Sequence, residues 1–336
     1  MAEEQNNIIN KMLSYFCGKK ILITGGNGYI ASNLVHKLKN IDCTIVRADR
    51  AFDTPTINGR ASIRDVIGDI KDKSFFEGVL ESIDIVYHFA AQTSLYQAEK
   101  NPMDDFSVNV VPMLNLLETC RYRGWKPAII FSGTVTEVGI PKNLPVNETC
   151  CDCPVSIYDM HKLMAENYLK YYSKRGIVFG TVLRLANVYG PGPKSSSSDR
   201  GVLNMMIRKA LAEEPLNIYG TGEYLRDYIF VEDVVRAFLE AAIHKDQVNE
   251  KYFIIGSGEG IKLSQAVNLV ADRAALKTGK RVPVRHVDPP SILHPVEFRN
   301  FIADPKLFMN STDWKINFSL IKGIDCTIDY FSGAKI

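Results

Sequence analysis

Apolar residues in this chain follow two alternating patterns through its first half. Short, nearly unbroken runs stand at Ile21-Leu22-Ile23-Thr24, Cys43-Thr44-Ile45-Val46, Ile83 to Ala91 and Ala128 to Ser132. Such runs, bounded by turn residues, predict strands buried on both faces of a parallel sheet. Ser62 to Asp69 predicts a further strand closed by an acidic residue. Between the runs, apolar positions recur at helical spacing: Ile30, Leu34, Val35 and Leu38, then Phe75 to Leu80. Val108, Val111, Met113, Leu114, Leu116 and Leu117 fall within one long helix expected over Asp105 to Arg123, and another is expected over Ile157 to Arg175. Regular alternation of strand and helix predicts right-handed βαβ crossovers, so the expected fold class is α/β with a doubly wound parallel sheet.

Later patterns at Tyr252 to Ile255, Leu263 to Leu276 and Val282 to Val287 predict a smaller C-terminal substrate-binding lobe. The expected division gives 18–186 with about 227–256 to the sheet domain, about 187–226 with 257–336 to the lobe, and 1–17 to an N-terminal extension. That extension carries a short amphipathic pattern, Ile8, Ile9, Met12, Leu13 and Phe16, without the continuous apolar region of a signal peptide. A chain of 336 residues can bury a large core. Its 40 Lys+Arg nearly balance 38 Asp+Glu, which argues against a nucleic-acid partner. Seven scattered cysteines fit a reducing compartment, and no stretch reaches membrane-spanning length, so a cytoplasmic protein without a membrane partner is expected.

Chemistry enters at Thr24-Gly25-Gly26-Asn27-Gly28-Tyr29-Ile30-Ala31, a glycine turn between a buried strand and a helix. Gly25 can take the tight turn, Gly28 clears a side chain from the path of a pyrophosphate, and Ala31 keeps the first helical turn small. Tyr29 and Ile30 open the helix whose N-terminal amides and dipole favour phosphate. This is the turn of a Rossmann dinucleotide site. Asp49, 24 residues past Gly25, ends the second strand where a carboxylate can accept the adenosine ribose hydroxyls and so favour NAD over NADP. Its neighbour Arg50 could instead welcome a 2′-phosphate. Asp69 and Ile70 can hold the adenine, Ala90 and Ala91 leave room for the middle of the cofactor, and Asn109, counted with these as a cofactor-binding residue, can brace the neighbouring strand ends. His88 precedes its strand end and is read as structural.

Tyr158 and Lys162 stand four residues apart on one helix, so both side chains project from one face. An ammonium near a phenol lowers its pKa from about 10 and makes tyrosine a usable base near neutrality. Thr134, at the end of the fifth strand, can hydrogen-bond the same substrate oxygen. The three together can take a proton from a carbinol while its hydride leaves for nicotinamide.

These segments, with Gly68-Asp69-Ile70, His88-Phe89-Ala90-Ala91, Arg184 to Gly192 and Arg226 to Val234, resemble the extended short-chain dehydrogenase/reductase family of the nucleotide-sugar epimerase/dehydratase type, from about Gly18 onward. The resemblance implies NAD as cofactor and a nucleotide-diphosphate sugar as substrate. It implies that Asn187 and Arg226 contact the diphosphate, an ion pair with Asp227 being the other reading of Arg226. Thr136 and Asn204 are expected on the same substrate side, with the segment from Pro193 to Asp199 ordering over the ligand. Dehydratases of the family place Asp and Glu directly after this threonine, where this chain has Val135 and Thr136. That leaves C4 epimerisation through a transient 4-keto sugar, as in UDP-galactose 4-epimerase-like enzymes, ahead of 4-keto-sugar reduction and then of dehydration or decarboxylation. An NAD-binding regulatory or scaffold protein is the reading from another class.

Two departures from those epimerases stand out. Glu137 and Val138 occupy positions where an apolar residue and a tyrosine are usual, and Cys150, Cys151 and Cys153 crowd the approach to the catalytic helix. These cysteines with His161 are read as loop residues and not as a metal site. The resemblance also implies a homodimer through the helices around Asp105 to Arg123 and Ile157 to Arg175.

Overall fold

The computed structural model describes residues 14–53, 57–196, 201–289 and 293–333. Its centre is a seven-stranded sheet made of β1 (Lys20–Thr24), β2 (Thr44–Asp49), β3 (Ser62–Ile67), β4 (Ile85–His88), β5 (Ala128–Thr134), β6 (Phe179–Leu185) and, much later in the chain, Lys251–Ile255. Counting from the late strand, the order is that strand, then β6, β5, β4, β1, β2 and β3, and every pairing is parallel. Ile21, Leu22 and Ile23 of β1 are wholly buried, as a central strand covered on both faces requires. Each such side chain contributes about 1.5–3 kcal/mol by leaving water.

Strand β3 forms the edge and is correspondingly polar, with Ile67 71% exposed. It stops at Ile67, short of the expected Asp69; Gly68 N–H to Asp49 O at 3.0 Å is the last ladder bond, because β2 itself ends at Asp49 and offers no further partner.

Helices α1 (Tyr29–Leu38), α2 (Lys73–Val79), α3 (Leu95–Lys100), α4 (Pro102–Asn109), α5 (Val111–Arg123) and α6 (Ile157–Lys174) cover the sheet. The single helix expected from Asp105 to Arg123 is two. Pro112 lies in the first turn of α5, where its missing N–H costs nothing, but inside one continuous helix it would break an interior bond. One layer packs Leu34 and Val35 of α1 with Phe238 and Phe253; the other packs Met113, Leu116 and Leu117 of α5 with Ala165 and Leu169 of α6. Phe16 joins the first layer and Tyr15 donates its hydroxyl to Ala242 O at 3.0 Å, while residues 1–13 of the expected N-terminal pattern lie outside the described residues.

Beyond β6, strands β7 (Asn187–Tyr189), β8 (Leu216–Tyr219), β9 (Leu225–Phe230), β10 (Lys251–Ile255), β11 (Gly260–Lys262) and β12 (Val284–Val287) divide between the two parts of the molecule. β10 is the late strand of the large sheet, whereas β11-β9-β7 and β12-β8 are small sheets at the strand ends. Helices α7 (Val202–Leu211), α8 (Val231–Ile243), α9 (Lys245–Val248), α10 (Leu263–Thr278), α11 (Lys306–Ser311) and α12 (Leu320–Phe331) complete the order. α8 lies on the large sheet, while Leu203, Ile207, Val267, Val270 and Ile324 make a separate apolar core under the small ones. Asp227 ties the two parts together. Its buried carboxylate accepts from Ser257 N and Oγ at 2.7 and 2.8 Å and from Gly258 N and Ala303 N at 3.0 Å each.

Candidate active site

A cleft of about 940 Å³ opens where the carboxyl ends of β1, β2, β4 and β5 meet the loops of the small sheets. That is where an open parallel sheet leaves a crevice for a ligand. Gly25, Gly28, Tyr29, Ile30, Asp49, Arg50, Asp69, Ile70, Ala90 and Ala91 line one half of it.

Gly25 has φ +67°, and a Cβ there would stand 2.8 Å from Ala90 N, so the turn passes directly against the end of β4. Gly28 caps α1 with no side-chain hydrogen bond, which leaves the first amides of a ten-residue helix without an internal partner beside the cleft. Asp49 accepts from Asn27 N at 3.0 Å and from Arg50 N at 2.7 Å, which fixes its carboxylate at the rim. Uncapped amides, a held carboxylate and small residues at the end of β4 together fit a dinucleotide: diphosphate at the helix, ribose at Asp49.

His88 lies beneath this wall, fully buried, with Nδ1 2.8 Å from Thr24 Oγ1. Burial, helped by the charge of Lys162, lowers its pKa to about 3, so the ring is neutral. Asn109 is corrected from a cofactor contact to a brace. It lies behind the wall, where its amide exchanges hydrogen bonds with Gln92 N and O at 3.1 and 3.0 Å and donates to Asp105 Oδ1 at 3.0 Å.

The other half of the cleft is built on β5 and α6. Thr134, Thr136, Tyr158 and Lys162 all line it. Thr134 ends β5 and caps the following turn, with its Oγ1 2.9 Å from Thr136 Oγ1 and its amide donating to Glu137 Oε1 at 3.0 Å. Glu137 is a buried acid, not a wall of the sugar pocket: its other oxygen lies 3.0 Å from Arg184 Nε. Arg184 also donates to Glu166 at 2.8 and 2.7 Å and to Asp152. Burial first, and then the neighbouring Glu166 charge, holds the Glu137 carboxyl well above the usual carboxylate range, against the pull of Arg184.

Lys162 is buried with Nζ 4.0 Å from the centre of the Phe131 ring. Burial draws its pKa down to about 8, against the pull of Glu137, Asp105 and Glu166. A cation so placed on the face that presents Tyr158 favours the phenolate.

On the substrate side, Asn187 and Arg226 line the cleft. Asn187 donates to Asp227 O at 3.1 Å, and the Arg226 guanidinium donates to Arg299 O and Glu297 O at 2.5 Å each. Arg226 therefore makes no ion pair with Asp227, whose oxygens are taken by backbone amides. Asn204 is corrected to a loop brace: fully buried, it accepts from Gly190 N at 3.0 Å and donates to Gly190 O and Ser195 O at 3.0 and 3.2 Å. Of the segment expected to order over the ligand, residues 197–199 lie outside the described residues.

Two buried charged residues of the cleft were missed from sequence, Asp159 and Arg299. Asp159 follows Tyr158 directly, a signal in plain view, whereas nothing near Arg299 in sequence marked it. His161 turns aside to Asp105 Oδ2 at 2.6 Å, and all seven cysteines are free. Among the described residues, the group with metal-ligand spacing is Glu240, His244 and Asp313, which lines no part of the cleft.

A dinucleotide cradle facing a Tyr/Lys/Thr set on a parallel sheet defines a nicotinamide-dependent enzyme of the extended short-chain dehydrogenase/reductase type. The chain belongs to the NAD dependent epimerase/dehydratase family, whose model matches residues 21–256. NAD is its cofactor. The chain is 31% identical over 286 residues to the UDP-glucose 4-epimerase of Streptococcus mutans, covering 78% of this chain and 83% of that one. In structure it is similar to the UDP-glucose 4-epimerase of Thermotoga maritima solved with UDP-glucose, with TM-score 0.82, 30% identity, and coverage of 94% of this chain and 99% of that one. The Thermus thermophilus UDP-glucose 4-epimerase in complex with NAD is similar at TM-score 0.79 and 27% identity, with coverage of 94% and 100%.

Proposed function

We propose that this protein is a nucleotide-sugar 4-epimerase that works through a transient 4-keto sugar. The observation that carries the reading is the convergence of Thr134, Tyr158 and Lys162 on one cleft wall, with Val135 buried and a threonine next, and no acid directly after Thr134. Tyr158 takes the proton of the C4 hydroxyl and later returns it. Lys162 stabilises the phenolate, and Thr134 steadies the sugar oxygen as it changes from hydroxyl to carbonyl. NAD held along Gly25, Gly28 and Asp49 would supply the reversible hydride acceptor that oxidation and return at C4 require. Arg226 and Asn187 hold the diphosphate, a guanidinium fork being suited to phosphate oxygens.

Asp49 favours NAD and a closed redox cycle over reduction of a 4-keto sugar by NADPH. A homodimer through α4, α5 and α6 belongs to the same reading, supported by exposed Met103, Tyr122, Met164 and Tyr171 and checked by light scattering. Free thiols support a reducing, cytoplasmic setting.

The test is Tyr158→Phe, assayed on a panel of UDP-, dTDP-, GDP- and CDP-sugars. Turnover should fall by about 10²–10⁴-fold with NAD binding unchanged. Near-normal turnover would remove Tyr158 from its role. NAD binding with no turnover across the panel would favour the regulatory reading, and net consumption of NADPH the reductase.

A further inference from the structure

Most polar groups of the cleft are held by the protein itself; Asp159 is not. It is fully buried and lines the cleft; the Thr136 and Ser156 hydroxyls lie near enough to favour its charged form, yet neither carboxylate oxygen has a partner at full hydrogen-bond geometry among the described residues. A buried carboxylate in that condition is costly, and a ligand that supplies hydroxyl donors relieves the cost. One residue along α6 from Tyr158, its side chain is turned by about 100°. It therefore faces Thr136 and the segment 293–299 rather than Lys162.

Arg299 stands on that segment, 8% exposed and also lining the cleft. Its guanidinium, with five N–H donors, reaches Val135 O at 3.5 Å and Gly139 O at 3.4 Å through Nη1, two long hydrogen bonds. Asp159 and Arg299 sense each other's charge, yet no hydrogen bond joins them.

We propose that Asp159 and Arg299 are specificity-determining residues that read the hydroxyls of a neutral sugar in the cleft. Asp159 accepts from one or two sugar hydroxyls, and Arg299 donates to a neighbouring sugar oxygen. The proposal rests on the nucleotide-sugar reading and narrows its substrate class. A sugar carboxylate next to Arg299 would bring a second anion toward Asp159 inside a poorly solvated wall, so hexoses and N-acetylhexosamines fit and uronic acids are disfavoured.

A purely structural role is also available to Asp159, because it lies in the first turn of α6, where the helix dipole favours an anion. The two roles separate in a titration. NAD-loaded wild type, Asp159→Asn and Asp159→Ser are titrated calorimetrically with UDP, UDP-glucose, UDP-galactose and UDP-glucuronic acid. Wild type should bind UDP-glucose or UDP-galactose roughly tenfold or more tightly than UDP. Both variants should lose most of that ratio while keeping UDP affinity within about twofold, and the preference for UDP-glucose over UDP-glucuronic acid should narrow. If both variants keep the ratio and only melt at lower temperature, the sugar-reading role is overturned and Asp159 is a helix stabiliser. If wild type binds no nucleotide sugar at all, the nucleotide-sugar reading itself falls, a failure distinct from the first.

Discussion

Replacing Gly25 by alanine tests whether the glycine turn is shaped by close approach or merely tolerates it. At φ +67° an alanine pays the left-handed penalty, about 1–2 kcal/mol. Its Cβ would also stand 2.8 and 2.9 Å from Ala90 N and Cα and 3.1 Å from Phe89 C. All three are backbone atoms, so the end of β1 must part from the end of β4, an overpacking cost of about 1–3 kcal/mol. The sum is about 2–5 kcal/mol. Gly176 has φ +70° with nothing within 4 Å of a Cβ, so Gly176→Ala should cost only the left-handed part. Gly78, exposed in α2 with nothing within 4 Å, should gain about 0.5–1 kcal/mol as alanine. Urea unfolding followed by circular dichroism ranks the three, and NAD titration of Gly25→Ala reads the cradle, whose displaced amides should weaken affinity roughly tenfold or more. Equal costs for Gly25→Ala and Gly176→Ala would refute the close-approach argument, and unchanged NAD affinity would refute the cradle.

Two further expectations concern pH. His88 titrates at about 3 in the folded protein against about 6.5 unfolded, so its contribution is fully present above pH 6.5 and is lost as pH falls toward 3. Between pH 6.5 and 5 this amounts to about 2 kcal/mol, and urea midpoints of His88→Asn should depend less on pH across that window; equal slopes would refute the assignment. Lys162, at about 8, is charged below that pH and neutral above it, so turnover should fall as pH rises through 8. In Lys162→Met that alkaline limb should vanish together with most of the rate, and a limb that persists at the same pH would assign it to another group.

The sheet and the glycine turn were legible because both-face burial writes itself as unbroken apolar runs, as at Ile21 to Ile23. Boundaries were less so. Asp69 continued the pattern of β3, but its partner β2 ends at Asp49, so the pairing stops two residues earlier. The break at Val110 lay in Pro112, a residue that permits a helix start and forbids a continuous interior. At the site, residues with one chemical use, such as Tyr158 and Lys162, were legible by spacing. Asn109 and Asn204 were not, since an amide serves equally to bind a ligand or to brace a loop, and only burial tells which. Glu137 looked like an altered pocket wall, and its partner Arg184 lies 47 residues away in sequence. Asp159 and Arg299 meet only through tertiary structure, which no local pattern encodes.

Strand β10 closes the large sheet against β6, although about 65 residues separate the two in sequence. During synthesis at about 5–20 residues per second, the outer edge of β6 therefore waits roughly 3–13 s for its neighbour. Unpaired strand edges invite pairing with other chains. Arg184 waits as well, because its guanidinium lies 3.7 Å from the centre of the Tyr252 ring that β10 brings. The ribosome must thus deliver β7, α7, β8, β9 and α8 before the large sheet can be sealed. A chain halted before residue 251 leaves β6 with an open edge and Arg184 with its carboxylates but without the Tyr252 ring.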